Sequence, residues 1–218
     1  MTLRALDLFC GAGGASMGLH RAGFEVVGID HRKQPRYPFT FIQADALRPP
    51  VRLEDFDLIW ASPPCQAFCA YRRRGDGVGD GYENLIPETR AMLSAAGVPY
   101  VIENVPGAPL EQSFKLCGSS FGLNVRRHRL FEASFRVLLS PPCAHGWQLP
   151  RFQQATNRTN QRRTVEVGVY RIPLETQRAA MGIDWMRLDE LSQAIPPAYA
   201  EFIGRAARQY INGSEKAA

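Results

Sequence analysis

The sequence predicts an α/β protein built on a doubly wound, mostly parallel sheet. Short apolar runs alternate with helical patterns, several runs end on acidic or polar residues, and a glycine cluster joins the first run to the first helix. Residues 3–9 form the first run, which stops at Cys10-Gly11-Ala12-Gly13-Gly14. Residues 15–22 read as a helix closed by Gly23. Residues 24–29 are a second strand ending at Asp30, 39–43 a third ending near Asp45, and 56–61 a fourth that runs into Ser62-Pro63-Pro64-Cys65. Residues 88–96 look helical, Gly97 stops them, and 99–102 form a fifth strand ending at Glu103. Sheets of this kind collect ligands at the carboxyl ends of their strands.

The alternation decays after Leu130. Residues 131–171 carry turn signals, Ser140-Pro141-Pro142 and Ala144-His145-Gly146, and read as a small irregular or β module. Helices return at 174–181, 187–191 and 196–210, with a frayed tail over 212–218. The division expected is a main domain over 1–130, a small module over 131–171, and helices over 172–211 that rejoin the main domain.

With 218 residues, 45% of them hydrophobic and 22% charged, the chain can bury one normal core. It has no apolar run of about 20 residues, so no membrane span is expected. The first residues lack the apolar core of a signal peptide, and five cysteines without framework spacing point to reduced thiols in the cytoplasm. The net charge is +5, and arginines cluster at Arg72-Arg73-Arg74, at Arg126-Arg127-His128-Arg129, and from Arg151 to Arg171 among Asn and Gln side chains. That mixture suits phosphates and base edges, so nucleic acid is the expected partner; a solvated polar loop is the plainer reading.

The two prolines before Cys65 stiffen the end of an apolar strand and aim the thiol in one direction, which suits a nucleophile. A small buried space-filler is the alternative. The turn Asp7-Leu8-Phe9-Cys10-Gly11-Ala12-Gly13-Gly14 lets backbone approach a ligand at a helix N-terminus. Taken alone, it would serve a dinucleotide, a methyl donor or tight packing equally, and without a Walker lysine it does not suit a triphosphate. Asp30 is placed for ribose hydroxyls and Asp45 for an adenine amine; a surface turn and a helix cap are their plainer roles.

The ordered set Asp7-Leu-Phe-x-Gly-x-Gly-Gly14, Asp30, Asp45, Pro64-Cys65-Gln66, Glu103-Asn104-Val105 and Arg127-x-Arg129 resembles the DNA cytosine-5 methyltransferases. The resemblance implies the class I S-adenosylmethionine-dependent methyltransferase fold, Rossmann-like, with 131–171 as a reduced target-recognition region inserted in it. It implies S-adenosylmethionine as donor, held by Phe9, Gly11, Ala12, Gly13, Gly14, Asp30, His31, Asp45, Ala46, Pro63 and Gln193, with His31 beside the adenine. It implies duplex DNA as substrate and methyl transfer to carbon 5 of a flipped cytosine through a Cys65–C6 adduct. Glu103 would hold N3 and the 4-amino group, Arg129 would donate to O2, and Arg127 would orient the nucleophile's surroundings or a phosphate. A structural ion pair for Glu103 and a plain basic surface for the arginines are the competing roles. The glycine-rich segment 71–82 reads as a lid.

The resemblance further implies a bacterial or phage restriction-modification setting, a cognate restriction enzyme encoded elsewhere, and a monomer. Two positions depart from the family pattern. Gln193 stands where asparagine is usual, and Val125 where glutamine is usual. The compact segment 131–171 predicts a short target site. Cys69 does not sit where a second catalytic thiol would be needed. Cys143-Ala144-His145 offers two ligands without a second pair, so no metal is expected. The rival readings are a transfer-RNA cytosine-5 methyltransferase on the same fold, an exocyclic-amine methyltransferase (disfavoured by the thiol at position 65), and a catalytically silent DNA-binding relative.

Overall fold

Strand residues alternate between two apolar layers, and that alternation builds the protein. In β1 (Arg4–Leu8), Ala5 faces one layer while Leu6 and Leu8 face the other. In β4 (Leu58–Ala61), Leu58 and Trp60 oppose Ile59 and Ala61 in the same way. A sheet buried on both faces needs helices on both faces. α1 (Gly14–Arg21) and α5 (Pro197–Glu215) cover the first layer through Leu19, Tyr199 and Ile203; α2 (Ile86–Ala96) covers the second through Leu93. The computed structural model describes residues 2–68, 82–137, 140–145, 148–149 and 162–215.

The remaining elements are β2 (Glu25–Asp30), β3 (Thr40–Gln43), β5 (Tyr100–Asn104), β6 (Phe114–Leu116), β7 (Arg129–Ala133), β8 (Gln148–Leu149), β9 (Arg162–Arg163), α3 (Leu174–Met181) and α4 (Leu188–Gln193). The seven-stranded sheet has the order β3-β2-β1-β4-β5-β7-β6, with β8 and β9 forming a separate pair. Strands β1 to β5 pair in parallel, and β7 runs antiparallel to both β5 and β6. The mostly parallel, doubly wound sheet inferred from the alternation is therefore present.

Two elements differ from the sequence reading. The main sheet continues past Leu130, because β7 reaches Ala133 and pairs with β5. Its pattern is hard to read because Glu132, a charged residue, is buried on it. Arg90 of α2 satisfies both Glu132 carboxylate oxygens at 2.7 Å. The final helix also runs on through residues 212–215, which the sequence suggested would fray. No helix among the described residues is long and apolar enough to cross a membrane.

Register aligns the carboxyl ends of the strands. Leu8 lies opposite both Ile29 and Ala61, and Ala61 lies opposite Ile102. The glycine loop, Asp30, Ser62 and Glu103 consequently gather along one edge.

Helix α1 sits close against the start of α5 because Gly14 and Gly18 lie one turn apart on the contact face. A Cβ at Gly18 would stand 2.2 Å from the Pro197 carbonyl oxygen and 2.7 Å from the Ala200 Cβ. Gly18→Ala is expected to destabilise the fold by about 1–3 kcal/mol through overpacking. Thermal melting checks this against Gly213→Ala, where a Cβ meets nothing within 4 Å and the melting temperature should hold or rise.

Candidate active site

Strand β4 delivers its apolar residues to the core and then stops at the two prolines. Pro63 is buried, and its carbonyl accepts the Asn104 side-chain amide at 2.9 Å. The Asn104 oxygen accepts the Val105 N–H at 2.9 Å, so this buried side chain ties the end of β5 to the proline step. Half-buried Cys65 follows, and its carbonyl accepts the Phe68 N–H at 2.9 Å, closing a single helical turn over Gln66–Phe68. The thiol sits on a strand end held by its neighbour.

Glu103 lies on that neighbouring strand, 7% exposed. Arg129 of β7 holds its carboxyl at 3.1 Å. The Ser62 hydroxyl also hydrogen-bonds the Glu103 carboxyl, and Trp60 Nε1 donates to the same hydroxyl oxygen at 3.0 Å. Burial pushes the Glu103 carboxyl above the usual carboxylate range, while Arg129, Ser62 and Arg127 act in the opposite direction. An acid so placed can exchange a proton with a ligand.

Arg127 is turned inward as well. Its Nε donates to the Ala194 carbonyl at 2.6 Å and its terminal nitrogen to the Ser192 carbonyl at 2.5 Å. Burial, then repulsion from Arg129, lowers its pKa to about 9, while the fields of Glu103, Tyr199 and Cys65 raise it. Its backbone has φ +36°, a conformation an L-residue adopts only under constraint. The Tyr199 hydroxyl reaches the Arg127 carbonyl at 2.9 Å and that of Arg126 at 3.2 Å. Neither Arg127 nor Arg129 is part of a plain basic surface, and Arg127's contacts are to backbone carbonyls of 192 and 194.

The glycine loop forms the other half of the edge. Phe9 and Gly11 take positive φ of 58° and 49°, and a Cβ on Gly11 would meet nothing within 4 Å. The loop therefore leaves open space at Gly11, while Gly13 packs against Pro38 and Tyr37. The Gly11 N–H donates to Asp30 Oδ2 at 3.0 Å, and the Arg32 N–H donates to Oδ1 at 2.9 Å. Asp30 is thus fastened to the loop. His31 is exposed, with Nδ1 3.3 Å from the same carboxylate. Asp45 caps a local turn by accepting the Leu47 N–H at 3.0 Å, and Ala46 is buried beside it. The Ala12 carbonyl accepts Trp185 Nε1 at 2.8 Å, and Gly14 faces Ile195. Gln193 ends α4 with an exposed side chain between the two residues whose carbonyls Arg127 engages.

Residues 3–113, half of the chain, match the family described as C-5 cytosine-specific DNA methylase. The chain belongs to the C-5 cytosine-specific DNA methylase family. It is 31% identical over 123 residues to the Type II methyltransferase M.HgiGI of Herpetosiphon aurantiacus, covering 50% of this chain and 96% of that one. It is 30% identical over 133 residues to M.HgiDI of the same organism, covering 55% of this chain but 42% of M.HgiDI. The chain thus spans less than half the length of that relative. Its fold is similar to that of a protein described as a DNA modification methyltransferase from an E. coli prophage, with TM-score 0.61, 15% identity, and coverage of 97% and 100%. It is also similar to the S. pombe Dnmt2 methyltransferase, with TM-score 0.60, 12% identity, and coverage of 96% and 99%. The family membership and the mostly parallel sheet together give the class I S-adenosylmethionine-dependent methyltransferase fold.

The sequence reading missed Ser62, Tyr199 and Trp185, which bond to the site residues rather than forming it. The lid segment over 71–82, except Tyr82, lies outside the described residues, as do Cys69 and most of the arginine-rich stretch. The reason given for expecting no metal does not hold: Cys117 and His128 lie against Cys143 and His145.

Asp7 sits beneath the loop, fully buried, hydrogen-bonded by the Ser16 hydroxyl, which also bonds Tyr37 at 2.7 Å. Burial raises its pKa from 3.8 to about 7. A raised pKa means the folded state holds the proton more tightly, so the stabilisation is complete at acid pH and is lost as pH rises through about 7. The full difference is about 4 kcal/mol. Denaturant unfolding from pH 4 to pH 8 should show Asp7→Asn gaining stability relative to the wild-type protein as pH rises; parallel curves would remove Asp7 as the cause.

Proposed function

We propose that the protein methylates carbon 5 of a flipped cytosine in duplex DNA, as a DNA (cytosine-5-)-methyltransferase using S-adenosylmethionine. The observation that carries this reading is the buried Glu103–Arg129 pair on the strand ends beside Cys65. Cytosine C5 is a poor nucleophile. A Cys65 thiolate that bonds to C6 raises electron density at C5, and it leaves when the C5 proton departs and the C5–C6 double bond re-forms. Glu103, with its pKa raised, would donate to N3 and accept from the 4-amino group as C6 is attacked. Arg129 would donate to O2 while holding the Glu103 carboxyl. Of the two roles the resemblance implies for Arg127, its bonds to the Ser192 and Ala194 carbonyls support orienting the nucleophile's surroundings rather than holding a phosphate.

The open space over Gly11 and the anchored Asp30 carboxylate fit the donor. When bound, S-adenosylmethionine supplies an electrophilic methyl group on a sulfonium. Asp30 retains acceptor capacity for ribose hydroxyls. Phe9, His31, Asp45, Ala46 and Pro63 would line the adenosine side, and Gly11 to Gly14 with Gln193 the amino-acid side. Relatives named as Type II methyltransferases support a restriction-modification role, with a cognate restriction enzyme as partner.

Cys65→Ser should abolish transfer of labelled methyl to duplex DNA while donor affinity stays within about threefold. Near-normal turnover would refute the covalent route, and label appearing in transfer RNA instead of DNA would favour the RNA reading. Duplex DNA with 5-fluorocytosine at the target position should form a denaturation-resistant protein–DNA complex in the wild-type protein and none in Cys65→Ser. Fluorine at C5 cannot leave as a proton, so the bond to Cys65 persists.

A further inference from the structure

Among the described residues, one group of cysteine and histidine side chains lies outside the site above. Cys117 follows β6, His128 precedes β7, and Cys143 and His145 come from the segment 140–145. Their four ligand atoms all lie within 4.8 Å of one another. Cys117 Sγ is 3.2 Å from His145 Nε2, and Cys143 Sγ is 3.4 Å from His128 Nε2. The two imidazole centroids are 5.3 Å apart.

We propose that Cys117, His128, Cys143 and His145 bind one zinc ion tetrahedrally. In a Cys2His2 zinc site, with sulfur at about 2.3 Å and nitrogen at about 2.0 Å, adjacent ligand atoms lie about 3.3–3.8 Å apart. The observed cross pairs, at 3.2 and 3.4 Å, are close to that spacing, so the ion needs little rearrangement. Two thiolates and two neutral imidazoles select zinc over oxygen-seeking cations. They also cancel the ion's charge, and the two thiol protons are released to solvent as it binds.

The surroundings are built as ligand supports usually are. The Ser119 hydroxyl lies 3.1 Å from Cys117 Sγ and accepts the Ala144 N–H at 3.0 Å. The Ser120 hydroxyl donates to the Pro142 carbonyl at 2.7 Å, and the Ser140 hydroxyl to the Lys115 carbonyl at 3.0 Å. The metal would therefore staple the 140–145 segment, through Cys143 and His145, to the β6–β7 hairpin. His128 stands between Arg127 and Arg129, so the staple grips the turn that sends Arg129 to Glu103. Its role is structural: four protein ligands leave no open position for substrate.

The test is metal analysis of the whole chain purified without chelator, with cobalt substitution as the spectroscopic probe. Expected are about one zinc per chain, a sulfur-to-cobalt charge-transfer band with tetrahedral d–d bands, and a lower melting temperature after chelation. Cys143→Ser with His145→Ala should remove most of the bound zinc. A folded wild-type protein with free thiols, no zinc and no cobalt bands would overturn the proposal. A Cys117–Cys143 disulfide on intact-mass analysis would overturn it too. If the double variant fails to fold, the wild-type cobalt spectrum decides.

Discussion

The buried guanidinium of Arg127 is the constraint on which the active edge depends. It donates to the backbone carbonyls of Ser192 in the last turn of α4 and of Ala194 just beyond it, while Tyr199 of α5 holds the Arg127 carbonyl. Three parts of the chain meet in this one residue: the hairpin that carries Arg129, the end of α4 that carries Gln193, and α5. Leaving those carbonyls without a donor would cost about 1–3 kcal/mol each. The positive φ at Arg127 persists because these contacts over-determine it. The charge of Arg127 also acts on Glu103, so the same side chain that shapes the edge sets its electrostatics.

The chemistry of that edge follows from the exclusion of water. Glu103 is dry enough for burial to outweigh a guanidinium at 3.1 Å. The ion pair and the proposed chemical role are therefore compatible: Arg129 orients the carboxyl, while burial favours its protonated form. Asn104 adds the mechanical part, since it locks the Glu103 strand to the proline step before Cys65.

What the sequence made legible was the part written in local patterns. The five parallel strands stand out because apolar runs of strand length are punctuated by Gly23, Pro63 and Gly97. The candidate residues Asp30, Cys65 and Glu103 stand out because they fall at or just past the ends of such runs. The antiparallel strands β6 and β7 do not, since β7 carries Arg129 and Glu132, and their burial depends on partners at Glu103 and Arg90 that no local window contains. The inward turn of Arg127 is hidden for the same reason: four cationic or polar residues in a row read as surface. Cys117 and His128 give no spacing signal with Cys143 and His145, because the hairpin and the following segment bring them together only in three dimensions. Gly14 illustrates the converse, a glycine in a ligand-binding motif whose missing side chain also makes room for Ile195.

The packing of α1 against α5 has a consequence for how the chain is made. Arg208 bonds the Ala22 carbonyl across 186 positions, and Trp185 bonds Ala12 across 173. The β1 strand, the glycine turn and α1 thus wait for the later helices before their outer wall exists. Contacts of such separation form late and slowly. Until α5 has been synthesised, Leu19 and Phe24 lack their cover from Tyr199 and Ile203, and the growing chain exposes an apolar face that chaperones are built to hold.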